Sequence, residues 1–431
     1  MATFKGAYDE HDWLKPSFVP GQTKSKKPGR VLAMVSKEEA EKWNRYVKRL
    51  NEEIAVLKKK KQDRDTRLQL RALQAVASQK PMIRALWDRG TPSPTYIYRR
   101  GDYLQPGKLV GPGTLSMLTD GRTPFKIEKP YPGAKSTGRR LALAKWLTKP
   151  DHALTSRVMV NRIWKHHFGQ GIVKTLSNFG KTGAKPTHPD LLDWLARRFV
   201  AKDWSIKAMH RLMMTSSTYR QSSEVTEEHE RLDMENALLS RMPMQRMQAE
   251  VLRDSLLQIS GQLSQSPFGP PDPVSVRKDG LVTALKGPEG WRRSIYVRQR
   301  RSQIPTLLEN FDLPQMNPNC VRRTDSTVAS QALHLMNNAT IEKLASHFAQ
   351  RLLREAGDNP ELRIERAYLL TLSRKPSESE LRLNLRILSL LEKRWAEHLT
   401  KKGLSTGETS HKALTSWCHT LFCSAGLLYI D

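Results

Sequence analysis

Cysteine is scarce in this chain, which has only three in 431 residues: Cys320, Cys418 and Cys423. So few thiols, in an odd number, exclude a disulfide framework as the basis of the fold, although they allow one pair. His419 follows Cys418, but no second cysteine stands three places before Cys418, so the C-x-x-C-H signature of covalent haem attachment is absent. We therefore expect no c-type haem, and no other cofactor, in this chain.

Long apolar runs are also missing. The N-terminal segment, MATFKGAYDEHDWLKPSF, has early acidic residues and no apolar core, which excludes a secretory signal peptide in the sequence as given. No run is long enough to cross a bilayer. If the chain is complete as given, we expect a cytoplasmic product.

Catalytic and metal-binding motifs are missing too. Ser216, Ser217 and Ser222 have no G-x-S-x-G setting, and there is no phosphate-binding loop. His166 and His167 are consecutive, so in a helix they point about 100° apart and do not suit one metal ion. We therefore predict no catalytic residue and no metal site.

Two carboxylates, Glu250 and Asp254, lie four residues apart on one predicted helical face. Arg246 and Arg253 stand beside them, which favours ion pairs over the raised pKa of a general acid. An acid–base pair remains the alternative.

Positive charge is abundant. Lys and Arg number 72 against 43 Asp and Glu, a formal net charge of +29. This excess favours polyanionic partners, namely nucleic acid, anionic lipid headgroups or an acidic polysaccharide. The alternative is that excess lysine only keeps the chain soluble.

The chain exceeds the length at which one hydrophobic core usually keeps growing, so more than one packed unit is expected. Residue periodicity predicts a mainly α, multi-helix assembly in two packed lobes with a few short β pieces. The predicted segments are an N-terminal tail and charged connector helix (1–80), a Pro/Gly-rich β/loop lead-in (81–135), a motif-rich helical lobe (136–261), a loop or linker (262–290) and a C-terminal helical lobe with an arginine-rich strand (291–431).

Several elements are predicted in more detail. Ser36 and Glu39 form a capping box at the start of the connector helix, and a second helix runs from about Leu154 to Phe168. Pro189 begins a third, whose predicted buried face is Leu191, Leu192, Trp194, Leu195 and Phe199. Another spans Gln245 to Ser260, with Val251, Leu252, Leu256 and Ile259 inward. Thr95 to Arg99 and Ser294 to Arg298 are predicted as short strands.

A polar stripe runs along the second of these helices. Arg157, Asn161, Trp164 and Phe168 fall at steps of four, three and four, so they share one face. Such a stripe can hold a sugar or a base by stacking and hydrogen bonding. The alternative is a buried polar network that fixes helix packing.

A group of arginines is the sharpest candidate for an anion site. It consists of Arg292, Arg293, Arg298, Arg300 and Arg301, with Arg322 and Arg323 further along and Trp291 and Tyr296 as stacking surface. Strand alternation would send Arg292, Ser294 and Tyr296 to one side and Arg293, Ile295 and Val297 to the other. The alternative role is structural, in ion pairs with Glu309, Asp312 and Asp325.

Several long motifs resemble a known family. They are RRLALAKWLTKPDHALTSRVMVNRIWKHHFGQGIV, PTHPDLLDWLARRFV, WSIKAMHRLMMTSSTYRQSS, QAEVLRDSLLQISG, WRRSIYV and RRTDSTVASQALHLMNN. In this order they resemble the planctomycete-specific PSD-one C-terminal domain, family 1553 of the domains of unknown function. The run ALWDRGTPSPTYIYRRGDYLQPGKLVGPG also resembles that family's lead-in, and the resemblance covers about Leu73 to Asp431.

This resemblance implies a context rather than a reaction. Such domains usually end larger exported proteins, after a signal peptide, a haem-bearing cytochrome c-like domain and a second domain of unknown function. It therefore implies an exported or periplasmic location, with haem only on an upstream domain that is absent here. A truncated gene product or a stand-alone version is then expected.

Three functions remain open from the sequence. The first is a non-catalytic binding or scaffolding module for an acidic polysaccharide or an envelope protein. The second is a cytoplasmic nucleic-acid-binding protein, which the charge favours and the lack of a known reading motif disfavours. The third is an enzyme acting on acidic or sulfated glycans. The sequence predicts no oligomeric state.

Overall fold

The computed structural model describes residues 31–33, 37–59, 64–77, 82–84, 92, 94–119, 125–134, 136–287, 290–314 and 320–430. In chain order the helices are α1 (Lys37–Lys59), α2 (Arg64–Ala77), α3 (Arg139–Leu147), α4 (Thr155–Phe168), α5 (Pro189–Ala201), α6 (Ile206–Met214), α7 (Glu227–Leu232), α8 (Ala249–Ile259), α9 (Thr306–Asn310), α10 (Ala329–Asn337), α11 (Ala339–Ala356), α12 (Pro360–Thr371), α13 (Glu378–Lys401), α14 (Thr409–Phe422) and α15 (Ala425–Leu428). The mainly α fold is confirmed.

The strands are few and short. They are β1 (Val31–Ala33), β2 (Met82–Arg84), β3 (Tyr96–Tyr98), β4 (Pro106–Leu109), β5 (Gln245–Arg246), β6 (Leu263–Ser264), β7 (Val274–Val276), β8 (Val282–Ala284), β9 (Trp291–Arg292) and β10 (Tyr429–Ile430). They form two-stranded pairs: β1–β2, β3–β4, β5–β10 and β7–β8 are antiparallel, and β6–β9 is parallel. In the part of the chain just described, no helix has both the length and the apolar composition needed to span a membrane.

The chain divides into two compact units. Unit 1 comprises residues 1–39 and 80–243, and unit 2 comprises residues 40–79 and 244–431. This division differs from the predicted lobes, because α8 and the segment 262–290 both belong to unit 2. The N-terminal segment up to residue 30, the predicted capping residue Ser36 and residues 85–91 of the lead-in lie outside the described residues.

The core of unit 1 is built by α4, α5 and α6. The buried side chains on these helices follow helical spacing and include Val160, Ile163, Trp164, Phe168, Leu192, Leu195, Phe199, Met209 and Met213, and Ile172 and Val173 of the segment after α4 join the same core. The helix predicted from Leu154 to Phe168 is confirmed within one residue. The inward position predicted for Trp194 is wrong, since this side chain is 51% exposed. At about 100° per residue it points about 200° from Leu192, away from the core.

The larger core of unit 2 joins α8 to the C-terminal helices. Leu252, Leu256 and Leu257 of α8 pack in one cluster with α11 and α14, which contact each other. Phe348 and Phe422 stack there, with ring centroids 5.6 Å apart. The start predicted for this helix at Gln245 is wrong, because Gln245 and Arg246 pair as β5 with β10 and the helix begins at Ala249. The inward position predicted for Val251 is also wrong, because this residue lies on the exposed side of α8. A separate small cluster of Leu50, Ile54, Leu57 and Leu73 joins α1 to α2.

The predicted β pieces had different outcomes. The strand at Thr95 to Arg99 is confirmed as β3, which pairs with β4 in a hairpin. The strand predicted from Ser294 to Arg298 is wrong. The two-residue strand β9 ends before this segment, at Arg292, and Ser294–Tyr296 forms a turn of 3-10 helix. The Ser294 N–H donates to Asp254 Oδ1 over 2.7 Å instead of to a neighbouring strand.

Candidate functional site

Arg292 and Asp272 form a buried ion pair in unit 2. Their side chains are 2% and 3% exposed, and Arg292 Nη2 donates to Asp272 Oδ1 over 2.6 Å. Arg292 Nε donates to the same carboxylate, and its two terminal nitrogens also donate to the carbonyls of Phe268 and Pro270. Burial raises the pKa of the Asp272 carboxyl, and the Arg292 guanidinium opposes this shift. Arg292 therefore holds the segment 268–272 in place through these hydrogen bonds.

Arg253 is a second buried arginine in this network. Its Nη1 donates to the Arg292 carbonyl over 3.0 Å and to Ser294 Oγ over 3.3 Å. Asp254 lies 3.5 Å from the guanidinium and accepts hydrogen bonds from both the backbone and the hydroxyl of Ser294. Burial lowers the pKa of Arg253. These contacts fasten the 3-10 turn to α8.

Glu250 is bound by Arg323. Arg323 Nη1 and Nη2 donate to the two oxygens of Glu250 over 2.6 and 2.8 Å, the forked geometry that arginine favours. Burial acts to raise the pKa of Glu250, but the hydrogen bonds and charge of Arg323 outweigh it and lower the pKa. A lowered pKa does not suit a general acid at neutral pH.

The ion pairs differ in detail from those predicted. Arg246 lies 2.6 Å from Asp312 and 3.5 Å from Asp325, rather than beside Glu250. Arg292 pairs with Asp272, and Arg323 with Glu250, rather than with Glu309, Asp312 or Asp325. Asp272 lies in the segment predicted as a linker, where prolines and glycines gave no signal of a buried carboxylate.

Four of the remaining arginines form what we call the exposed arginine set: Arg293, Arg298, Arg300 and Arg301. Arg322 is also exposed but lies further along the chain and is not counted in this set. Arg298 is half-buried and the other three are exposed. Arg293 makes a 3.4 Å contact with Gln265. In the described chain, no carboxylate forms an ion pair with any of the four. Burial lowers the pKa of Arg298, and the nearby charge of Arg300 lowers it further.

The predicted alternation holds only in part. Arg292 and Ser294 are buried, and Arg293 and Ile295 are exposed. Val297 breaks the pattern and is buried, because the chain turns at Ser294–Tyr296 and then pairs again with Asp272. The arginine group is thereby divided into buried Arg292, whose charge is neutralised by Asp272, and the exposed arginine set.

Two aromatic rings predicted as ligand surface lie against arginines of the protein itself. The guanidinium carbon of Arg292 lies 4.9 Å from the ring centre of Tyr296, and that of Arg253 lies 6.0 Å from Trp291. Both rings therefore take part in internal cation–π contacts.

The polar stripe on α4 is a packing network in unit 1. Asn161 is fully buried; its Nδ2 donates to the Val173 carbonyl over 3.0 Å, and its Oδ1 accepts from the Val173 N–H over 2.9 Å. Trp164 is buried and stacks on Phe168, and Arg157 pairs with Asp193 at 2.6 Å. This geometry favours the alternative of a polar network over an open sugar or base site.

A histidine pair in unit 1 was not predicted. His167 Nε2 lies 2.7 Å from His210 Nδ1, and the ring of Tyr219 lies edge-on to His167. Burial lowers the pKa of His167, and the charges of His210 and His166 act in the same direction. The partners are 43 residues apart in sequence, so no local pattern connects them. The described residues include no group of three or more His, Cys, Asp or Glu suited to a metal ion.

Two cavities in the described part of unit 2 are further candidate surfaces. One, of about 330 Å³, lies among α12, α13 and α14 and is lined by Asp358, Arg363, Glu392, Ser410 and leucines. The other, of about 40 Å³, lies beside Arg253, Trp291 and His334. The second has room for about one water molecule.

The three cysteines are free thiols.

The motif-rich part of the chain matches one family model, PSD1, described as a protein of unknown function (DUF1553), over residues 139–388. This range is more than half of the chain. The chain belongs to the PSD1 family. No curated protein and no solved structure matches it.

The PSD1 range contains both networks described above. It includes the α4 network, Arg253, Asp272 and the exposed arginine set, whereas the β3–β4 hairpin precedes it. The candidate anion surface is thus part of the PSD1 domain itself.

Proposed function

We propose that this PSD1 domain is a non-catalytic binding or scaffolding module that holds an acidic polysaccharide, or an acidic envelope partner, on its exposed arginine set. The observation that carries the proposal is the division of one arginine-rich segment into two parts. Arg292 is neutralised by Asp272, whereas Arg298, Arg300 and Arg301 have no ion-pair partner in the described chain.

Uncompensated guanidinium groups placed close together repel one another, and an anionic ligand relieves this repulsion. The effect of Arg300 on the pKa of Arg298 indicates such proximity. Guanidinium groups bind sulfate, phosphate and carboxylate by paired hydrogen bonds. The net charge of +29 adds long-range attraction for any polyanion.

Contacts of the carboxylates support a binding role over the alternative of an enzyme acting on acidic or sulfated glycans. Glu250 is engaged by Arg323, and Asp254 by Ser294. A catalytic pair needs one carboxyl group with a raised pKa and access to the substrate, whereas the pKa of Glu250 is lowered.

The cellular setting of this module is part of the proposal. The resemblance to exported haem-linked proteins supports a location outside the cytoplasm, with any haem held by a separate upstream domain. The alternative of a cytoplasmic nucleic-acid-binding protein rests on the positive charge alone.

The test is a binding competition. The chain is mixed with a fluorescent single-stranded DNA, and dextran sulfate, polygalacturonate or unlabelled DNA is added at equal charge concentration. We expect the polysaccharides to displace DNA more effectively than unlabelled DNA does. The reverse order would replace the proposal with nucleic-acid binding.

A variant locates the site. In Arg298→Ala/Arg300→Ala/Arg301→Ala we expect affinity for dextran sulfate to fall and the slope of log affinity against log salt to lose about two to three units. The control removes the same charge from exposed positions on α13: Arg386→Ala/Lys393→Ala/Arg394→Ala. Equal losses in the two variants would show diffuse attraction and would exclude a site at the exposed arginine set.

A further inference from the structure

The β3–β4 hairpin of unit 1 ends in a turn that is held by its own hydrogen bonds. The Asp102 carboxylate accepts from the Leu104 N–H over 2.9 Å and from Gln105 Nε2 over 3.1 Å. Across the turn, the Arg99 N–H donates to the Gln105 carbonyl over 3.1 Å. These bonds preorganise residues 99–105, so little conformational entropy is lost when the turn binds a partner.

This turn exposes large apolar side chains. Tyr103 is 74% and Leu104 71% exposed, and Ile97 and Leu109 on the two strands are also exposed. From residue 94 to residue 119, no residue is buried. A two-stranded hairpin without a buried face is only marginally stable in water, and a concentrated apolar surface marks an interaction site.

Cations surround the apolar tip. Arg99, Arg100 and Lys108 flank it, and Asp102 is the one acidic residue between positions 94 and 119. Hydrogen bonds within the turn already engage the Asp102 carboxylate. Arg100 has a backbone φ of 54°, in the left-handed region that a non-glycine residue adopts at a cost. The turn thus maintains a strained arginine beside two exposed apolar side chains.

We propose that this hairpin tip docks on the surface of an anionic lipid bilayer. Tyr103 and Leu104 enter the boundary between headgroups and acyl chains, where amphipathic and apolar side chains are stabilised. Arg99, Arg100 and Lys108 contact the lipid phosphates. A bilayer fits better than a polysaccharide, because only the bilayer offers an apolar phase next to an anionic one. This site is separate from the exposed arginine set and does not depend on its function.

The test is flotation of the full chain with vesicles of phosphatidylcholine alone and of phosphatidylcholine mixed with phosphatidylglycerol. We expect binding to the mixed vesicles and much weaker binding to phosphatidylcholine. Tyr103→Ala/Leu104→Ala lowers the partition coefficient roughly tenfold, given the apolar area removed. The matched control is Met234→Ala/Leu238→Ala, which removes two similarly exposed apolar side chains of unit 1 and leaves binding unchanged.

Charge variants separate this site from general attraction. Arg99→Gln/Arg100→Gln/Lys108→Gln should weaken binding to mixed vesicles, whereas Arg298→Ala/Arg300→Ala/Arg301→Ala should retain most of it. Equal binding by the Tyr103→Ala/Leu104→Ala variant and the unchanged chain would overturn the proposal, as would the absence of any preference for anionic vesicles. Matching far-UV circular dichroism spectra establish that each variant is folded.

Discussion

The buried pair of Arg292 and Asp272 provides the sharpest test of unit 2. In Arg292→Met the aliphatic bulk is largely retained, but the partner of a carboxylate that is 3% exposed is lost. Three hydrogen bonds from Arg292 to that carboxylate disappear, together with those to the carbonyls of Phe268 and Pro270. Breaking a buried ion pair from one side costs about 3–5 kcal/mol, so we expect a loss of this size in the free energy of unfolding.

The stability that Arg292→Met loses depends on pH. Burial already raises the pKa of Asp272 above its ordinary 3.8, and removing the Arg292 guanidinium takes away the largest of the contributions that oppose this shift. The folded variant then binds a proton more tightly than the unfolded chain does. Its deficit is therefore largest at neutral pH and shrinks as the pH falls through the folded-state pKa. Arg292→Met/Asp272→Asn removes the buried charge and should be less destabilised than Arg292→Met alone.

The assay is urea denaturation followed by tryptophan fluorescence. The control is Arg277→Met, which breaks an exposed ion pair with Asp279 and should cost less than about 1 kcal/mol. If Arg292→Met loses no more stability than Arg277→Met, the buried pair does not hold the segment 268–272 in place.

Three further outcomes are expected. Asn161→Leu leaves the Val173 N–H and carbonyl without their partners, so we expect the free energy of unfolding, measured by urea denaturation, to fall by about 2–5 kcal/mol. A loss below about 1 kcal/mol would contradict the packing role of Asn161 on α4. Cys320 is exposed and should react with iodoacetamide in the native chain, whereas Cys418 should react only after denaturation, because burial shields its thiol and raises the thiol pKa. Mass spectrometry distinguishes the two labelled sites. Labelling of Cys418 in the native chain would contradict its burial. Hydrogen bonds from Arg374, and next from Ser377, lower the pKa of Glu380 from 4.5 to about 2, so the stabilising contribution of Glu380 is lost as pH falls across that interval. In Arg374→Ala the NMR titration midpoint of Glu380 should move part of the way back toward 4.5, because the bonds from Ser377 remain.

Helices were the most predictable part of the fold, because their signals are local. The apolar spacing and the glycine after Phe168 predicted α4. The predictions were wrong where the buried face of a helix had to be chosen among several apolar residues. Trp194 and Val251 are apolar but exposed, since each helix has room for only part of its apolar residues against the core.

The candidate site was predicted only in part. The sequence identified the arginines, and strand alternation already suggested that they would separate onto two sides. Their carboxylate partners could not be predicted, because Asp272 is 20 residues from Arg292 and Glu250 is 73 residues from Arg323. Contacts at such separations depend on how the segment 262–292 folds back onto α8. The His167–His210 pair was not predicted for the same reason, since the two residues are 43 positions apart in sequence.

By itself the sequence determined the family, the mainly α class, the places where most helices lie and the large positive charge, since all of these depend on composition and on patterns within a few residues. Only the tertiary structure decided which charges are neutralised. It buried Arg292 against Asp272 and left Arg298, Arg300 and Arg301 without ion-pair partners in the described chain. The physical reason is that an ion pair needs two groups within a few ångströms of each other, and sequence spacing does not specify that distance.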